Sequence, residues 1–313
     1  MLGCGGTIGG AWTIAALYAL ADQTGLDPRD ADVLQGTSAG AELVTMLGGG
    51  AGVDDLVSMQ RGHAHDSRLR SHLASTPPGV PPLPRPPLLN PRLLRSRSGL
   101  AAVTGIAPTG RADADWLQRL ADGFSAVDRL PHRDTRMVAY DVRSGERVAF
   151  GAPGSPTVAV GEALRASWAI PGWMPPVPVG DRLFVDGGAA STASVDLLAP
   201  QDADLVYVIA PMASAPGARA PGPGGVLEHR LLRRPMSTGL DAEIAAVRAR
   251  GTTVVPIRPT ARDLAGLGAD FMRRSHRAAA FEAAMTTAPG TVRAALSGDD
   301  LSGDDLSGNR ADA

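Results

Sequence analysis

The sequence predicts an α/β protein whose mostly parallel central sheet is covered by helices on both faces. Three observations carry that expectation. Strand-like and helix-like stretches alternate along most of the chain. Asp204 to Ala210 (DLVYVIA) is a near-continuous apolar run of the kind found in buried parallel strands. With 44% apolar residues in 313, the chain can bury a sizeable core.

The elements follow in order. Trp12, Ala15, Ala16, Ala19 and Leu20 share one helical face, which predicts a helix from Gly9 to about Asp22. Asp32 to Gln35 reads as a short strand, Gly36 to Gly40 as a tight turn, and Ala39 to about Leu47 as a helix stopped by Gly48-Gly49-Gly50. Asp54 to about Arg61 is helical again. Residues 76–92, TPPGVPPLPRPPLLNPR, hold eight prolines and suit neither a helix nor an inner strand. They read as an extended linker or as a flap whose Leu83, Leu88 and Leu89 touch substrate. A helix is expected from Ala112 to Ala126. A hairpin follows, with strands Arg136 to Val142 and Glu146 to Phe150 joined by Arg143-Ser144-Gly145. Glu162 to Trp168 is a short helix and Arg182 to Val185 a strand. After the apolar run come a helix over Leu240 to Arg250, a strand over Thr252 to Ile257 and a final long helix from Ala269 to about Thr286. These elements form one domain over 1–290, and the repeat-bearing end (297–313, with SGDDL twice) reads as a disordered acidic tail.

Composition removes several chemistries. All 30 basic residues are arginine, so Schiff-base lysines, Ser-x-x-Lys nucleophiles and P-loop lysines are excluded. A formal net charge of −2 argues against a nucleic-acid partner. Cys4 is the only cysteine, which rules out an intrachain disulfide and a cysteine-rich zinc site. No metal and no cofactor are expected. No stretch reads as a signal sequence or a transmembrane helix, and the expected location is cytoplasmic.

Two turns carry candidate chemistry. GTSAG (Gly36 to Gly40) fits G-x-S-x-G between a strand and a helix, a setting that pushes the Ser38 hydroxyl outward over a helix N-terminus. A glycine turn without chemistry gives the same pattern. A serine needs a base. His229 and His276 follow late enough in the chain to serve in a Ser-His-Asp arrangement, although too few strands precede the serine for an α/β-hydrolase. The strand Arg182 to Val185 runs into Asp186-Gly187-Gly188, where an aspartate at a sheet edge can accept directly from Ser38. An ordinary Asp-Gly turn is the alternative. The opening MLGCGGTIGG leaves bare backbone N–H groups that suit stabilisation of an oxyanion. A dinucleotide loop ranks lower, because G-x-G-x-x-G begun at Gly3 reaches Ile8 in place of its last glycine.

LGCGGTIGGAW, GTSAG and DGG in this order, with EALRASWAIPGWMPPV before the acid strand and ADLVYVIAPM after it, resemble the patatin-like phospholipase family over roughly residues 2–290. The resemblance implies a three-layer α/β/α fold and a serine lipid acyl hydrolase, of phospholipase A or esterase type, with a Ser-Asp dyad. Ser38 would be the nucleophile on an elbow held by Gly36 and Gly40. Asp186, on the turn with Gly187 and Gly188, would act as or orient the base. Gly5 and Gly6, with Thr7, would form the oxyanion hole. The implied partner is an acyl lipid or phospholipid, met through transient contact with a membrane surface. Trp173 and Met174, just before the acid strand, either line the acyl pocket or belong to the core. Three features depart from the family pattern. Cys4 stands at the first glycine of its loop and Ile8 at its basic position, which motivates the alternative of a weak or silent acyl-lipid-binding protein. Only Met1 and Leu2 precede the loop, so the first strand is expected to be truncated, since strands average about five or six residues.

Overall fold

The computed structural model describes residues 1–75 and 109–298. The proline-rich stretch 76–92 and the tail from residue 299 lie outside the described residues. The described elements are helix α1 (Gly6–Thr24), strand β1 (Leu34–Thr37), helices α2 (Ala39–Gly48), α3 (Val53–Gln60), α4 (Ser67–Ser75) and α5 (Asp115–Phe124), and strands β2 (Thr135–Asp141) and β3 (Arg147–Phe150). Helix α6 (Val160–Ser167) leads to strands β4 (Val177–Val179), β5 (Arg182–Asp186) and β6 (Leu205–Ile209). Helix α7 (Gly222–Glu228) passes through a π-helical turn, His229–Arg233, into α8 (Arg234–Arg248). Strand β7 (Thr253–Ile257) and helices α9 (Ala261–Leu267) and α10 (Arg277–Ser297) complete the fold.

The strands form a mixed sheet between helical layers. β7 pairs parallel with β6, and Leu2 bridges parallel to both Ile209 of β6 and Gly36 of β1, joining the two parts of the sheet. β1 pairs parallel with β2. Beyond that point the pairing is antiparallel, β2 with β3 and with β5, and β5 with β4. Side chains alternate across the strands as the pleat requires. On β6, Ile209 and Tyr207 face the large core under α1, α2, α5 and α6. Val206 and Val208 face a second core built with Leu240, Ile244 and Val247 of α8.

The pairing along β2 positions the site. β3 occupies one edge of β2 from Met137 to Tyr140. β1 pairs with residues up to Val138 and β5 with residues from Ala139 onward, so both must lie on the opposite edge. They run toward each other and meet end to end. Thr37 stands opposite Val138 and Asp186 opposite the next residue, Ala139. The residues that leave the two strands, Ser38 and Asp186, are thereby brought together from 148 positions apart (186 − 38).

Several expected boundaries move. The first strand begins two residues later than Asp32 and continues through Gly36 and Thr37, because β2 and Leu2 supply hydrogen-bond partners on both sides. The final helix spans Arg277–Ser297 and not Ala269 to Thr286, with Pro289 inside it. Proline there removes one backbone bond. The helix continues because its small-residue face, Ala280, Ala284, Ala288 and Ala295, is buried in the core that holds α1. Gln23 of α1 adds a bond from its side-chain amide to the Pro289 carbonyl, at 2.9 Å.

α1, α9 and α10 are joined at Asp263, a buried carboxylate that accepts from Trp12 Nε1 at 3.0 Å, Thr291 at 2.7 Å and the Thr260 hydroxyl at 2.7 Å, and from Thr287. Burial alone would raise its pKa, yet these donors together hold it below the ordinary value. We predict that Asp263→Ala costs about 3 kcal/mol or more in urea unfolding at neutral pH, because these donors and the Thr260 N–H lose an ionised acceptor. A depressed native pKa adds stability above the unfolded value and loses it as pH falls. The difference between variant and wild type should therefore shrink in acid.

Candidate active site

Ser38 follows β1 and directly precedes α2, with φ 56° and ψ −120°. A non-glycine residue at positive φ is strained and persists only where its surroundings fix it. Two constraints do so. A Cβ on Gly36 would lie 2.3 Å from the Gly40 carbonyl oxygen, and one on Gly40 would lie 2.0 Å from the Leu2 carbonyl oxygen. Only glycines allow the elbow to close this tightly against the first residues of the chain. The Ser38 N–H donates to Ser167 Oγ at 3.0 Å, and Ser167 Oγ donates to the Val138 carbonyl at 2.6 Å. Ser167, at the end of α6, thus ties the elbow to β2. It lies within EALRASWAIPGWMPPV, but nothing in that stretch marks its role.

Asp186 ends β5. Its Oδ1 accepts from the Gly188 N–H at 2.7 Å, and its own N–H donates to the Ala169 carbonyl at 3.0 Å. The Ser38 hydroxyl lies close enough to the carboxyl to favour its charged form as a hydrogen-bond donor. Burial outweighs that donor and the Gly188 amide, and pushes the Asp186 pKa up from 3.8 to about 7. Gly187 abuts the Val138 carbonyl, and Gly188 packs so closely on Cys4 that a Cβ would lie 2.9 Å from the sulfur. The departure at Cys4 is therefore matched by a glycine opposite it. The Cys4 thiol, buried and beside Asp186, is pushed up to about 12 and is chemically inert at neutral pH.

The glycine loop runs past both groups. Gly5 precedes α1 and Gly6 opens it at φ 56°. The N–H groups of Gly3, Cys4, Ile8 and Gly9 all have backbone acceptors. Among the described residues, those of Gly5, Gly6 and Thr7 have none. They are the unsatisfied donors at the positive end of a 19-residue helix.

Cys4, Gly5, Gly6, Ser38, Asp186 and Gly188 line one cavity of about 210 Å³, whose apolar wall includes Ile170, Pro171, Met212, Leu232, Met236 and Phe271. Thr7 does not line it and instead lines a small neighbouring cavity that shares Gly6. Trp173 and Met174 do not line it either. The chain turns at Gly172 (φ 81°), and Met174 is buried in the main core where Gly110 and Ala112 cover this segment. Ile170 and Pro171 from the same stretch take the place expected for them. Leu232, Met236 and Phe271 lie far away in sequence and carry no motif. Neither His229 nor His276 lines the cavity, and His276 Nε2 pairs with the Gly266 carbonyl at 2.8 Å.

Ile8 is buried in the core, so no cation reaches the cavity from that position. A buried cation supports the loop from behind. Arg233 binds Glu228 at 2.9 Å and the Pro211 carbonyl at 2.7 Å, and the Pro211 ring packs on Gly5 and Gly9.

The raised pKa of Asp186 has a consequence for stability. The native state binds this proton more tightly than the unfolded chain does, so stability declines as pH rises from about 4 to about 7. The ionised carboxyl then carries a penalty of about 4 kcal/mol. We predict that Asp186→Asn removes it. By calorimetry, the variant's Tm should match wild type at pH about 4 and below, and exceed it by several degrees at pH about 8.

The family profile described as patatin-like phospholipase matches residues 1–199. No curated protein matches the chain. Among solved structures, the crystal structure of VipD from Legionella pneumophila aligns with a TM-score of 0.45 and 14% identity over 94% of this chain. The chain spans 66% of that one, just under two thirds of its length. With 199 of 313 residues matched by the family profile, the chain belongs to the patatin-like phospholipase family.

Proposed function

We propose that this chain is a serine lipid acyl hydrolase, a carboxylic ester hydrolase working through a Ser38–Asp186 dyad without histidine. The observation that carries the reading is the meeting of the Ser38 hydroxyl with the buried Asp186 carboxyl in one apolar cavity, beside the unengaged amides of Gly5 and Gly6. Family membership supports lipid acyl hydrolysis in general. The roles of individual residues follow from the chemistry available to them.

Ser38 Oγ attacks the carbonyl carbon of the acyl ester as its proton passes to the Asp186 carboxylate. The carbonyl oxygen becomes an oxyanion, stabilised by the Gly5 and Gly6 N–H groups and the positive end of α1. Collapse expels the alcohol, which takes the proton held by Asp186, and leaves an acyl-Ser38. Water then attacks the acyl carbon as Asp186 accepts its proton, and collapse breaks the acyl–Oγ bond, returning that proton to Ser38 Oγ and releasing the carboxylic acid. A pKa near 7 suits this exchange, since a base poised near the working pH both takes and returns a proton readily. The apolar wall fits an acyl chain.

The substitutions Ser38→Ala and Asp186→Asn should each reduce hydrolysis of p-nitrophenyl acyl esters by about 10³-fold or more while circular dichroism stays unchanged. A fluorophosphonate probe should label wild type at Ser38 and leave Ser38→Ala unlabelled. The kcat/KM of wild type should rise with pH through an apparent pKa of about 7, as Asp186 loses its proton. Full turnover by Ser38→Ala would overturn the reading. Lipid binding without labelling would establish a silent acyl-lipid-binding protein in its place.

A further inference from the structure

We propose that the exposed face of the helical segment 222–236 is the surface by which this protein docks on an anionic lipid bilayer. The segment is α7, the π-helical turn and the start of α8. It has two unlike sides. Glu228 and Arg233 are buried, and Leu232 and Met236 form part of the wall of the Ser38 cavity. The other side presents Val226, Leu227 and Leu231, exposed by 46%, 58% and 58%. These are three of the seven large apolar side chains exposed among the described residues, gathered within six positions. Leu227 and Leu231 are four residues apart and share a helical face. Arg230 and Arg234 are exposed beside them.

Charge selects the partner. The protein as a whole is slightly acidic, at −2, yet residues 211–240 contain four arginines and one acid. That acid, Glu228, is buried and bound to Arg233, so it does not offset the exposed arginines. An apolar stripe flanked by cations is the pattern of a helix lying in a membrane interface, its leucines in the acyl boundary and its cations among anionic headgroups. Position fixes the orientation. Leu231 and Leu232 are consecutive, the first facing outward and the second lining the cavity, so a bilayer seated on this face lies at the cavity's lip. A lipid tail would pass from bilayer to cavity along continuous apolar surface. The π-helical turn lies at the change of phase between the two sides. Pro235, which has no N–H to give to Leu231, follows directly.

The proposal deepens the reading of a lipid acyl hydrolase, and its test separates the two. Binding of the full chain is measured by co-sedimentation with phosphatidylcholine vesicles, with and without phosphatidylglycerol. Wild type should bind the phosphatidylglycerol vesicles more tightly. The double variant Leu227→Ser with Leu231→Ser should lose about tenfold or more on both vesicle types. Arg230→Gln with Arg234→Gln should lose about fivefold per arginine on phosphatidylglycerol vesicles only. Leu231→Trp should bind more tightly than wild type, with an unchanged circular dichroism spectrum and no pelleting in the absence of vesicles. All variants should hydrolyse a soluble short-chain ester as wild type does, and Ser38→Ala should bind vesicles normally. Absent vesicle binding by wild type, or equal binding by wild type and the leucine variant, overturns the docking surface even if ester hydrolysis is intact. A wild-type dimer that becomes monomeric in the leucine variant, seen by sedimentation equilibrium, would also overturn it by assigning the face to a second copy. Normal docking without any hydrolysis would leave this surface standing and remove only the catalytic reading.

Discussion

The site depends on two strands meeting head-on along one edge of a third. β1 and β5 approach from opposite directions on β2, and their ends abut between Val138 and Ala139. No side-chain interaction could bring together two turns so far apart in sequence with comparable rigidity. Backbone ladders on both strands fix the register, and the register fixes where the Ser38 hydroxyl and the Asp186 carboxyl emerge. Because the junction lies inside the sheet, the carboxyl is removed from water, and that burial raises its pKa.

Neighbouring features make this junction possible at some expense in stability. Ser38 holds a strained backbone conformation, fixed by glycine-tight contacts with Leu2 and by the relay through Ser167 to Val138. Behind the glycine loop, the Arg233–Glu228 pair holds the Pro211 segment. Burial opposes charge on both partners, raising the pKa of Glu228 and lowering that of Arg233. Away from the site, Asp263 shows the opposite balance, with enough donors to keep a buried carboxylate ionised. Asp263 and Asp186 thus differ in donor number, many at the first and few at the second. That difference separates a buried carboxylate held below its ordinary pKa from one that burial raises above it.

The parts of the site readable in the sequence were those whose chemistry is local. GTSAG and DGG announce tight turns by their glycines, and the opening glycines announce a backbone with free donors. The contacts that need those glycines come from elsewhere in the fold and had no local signature. Ser167 is one serine among many until its hydroxyl meets the Ser38 amide. Leu232, Met236 and Phe271 reach the cavity only through tertiary packing. Trp173 and Met174 were apolar and near Asp186 in sequence, but the turn at Gly172 sends them into the core. β1 lies later than its sequence suggests, because Gly36 and Thr37 hold their strand geometry through neighbours on both sides. The helical segment after Pro221 opens on PGPGG, a poor helix start, and α10 runs through Pro289, where a proline disfavours continuation.

The central claim is that the Asp186 carboxyl is buried against the Ser38 hydroxyl. It is tested most directly by titrating carboxyl-13C aspartate in the intact protein by NMR, with Asp186→Asn to assign the resonance. Asp186 should titrate with a pKa of about 7, and with a higher value in Ser38→Ala, where a donor to the charged form is lost. A resonance titrating near the ordinary aspartate value of about 4, unmoved by Ser38→Ala, would contradict it.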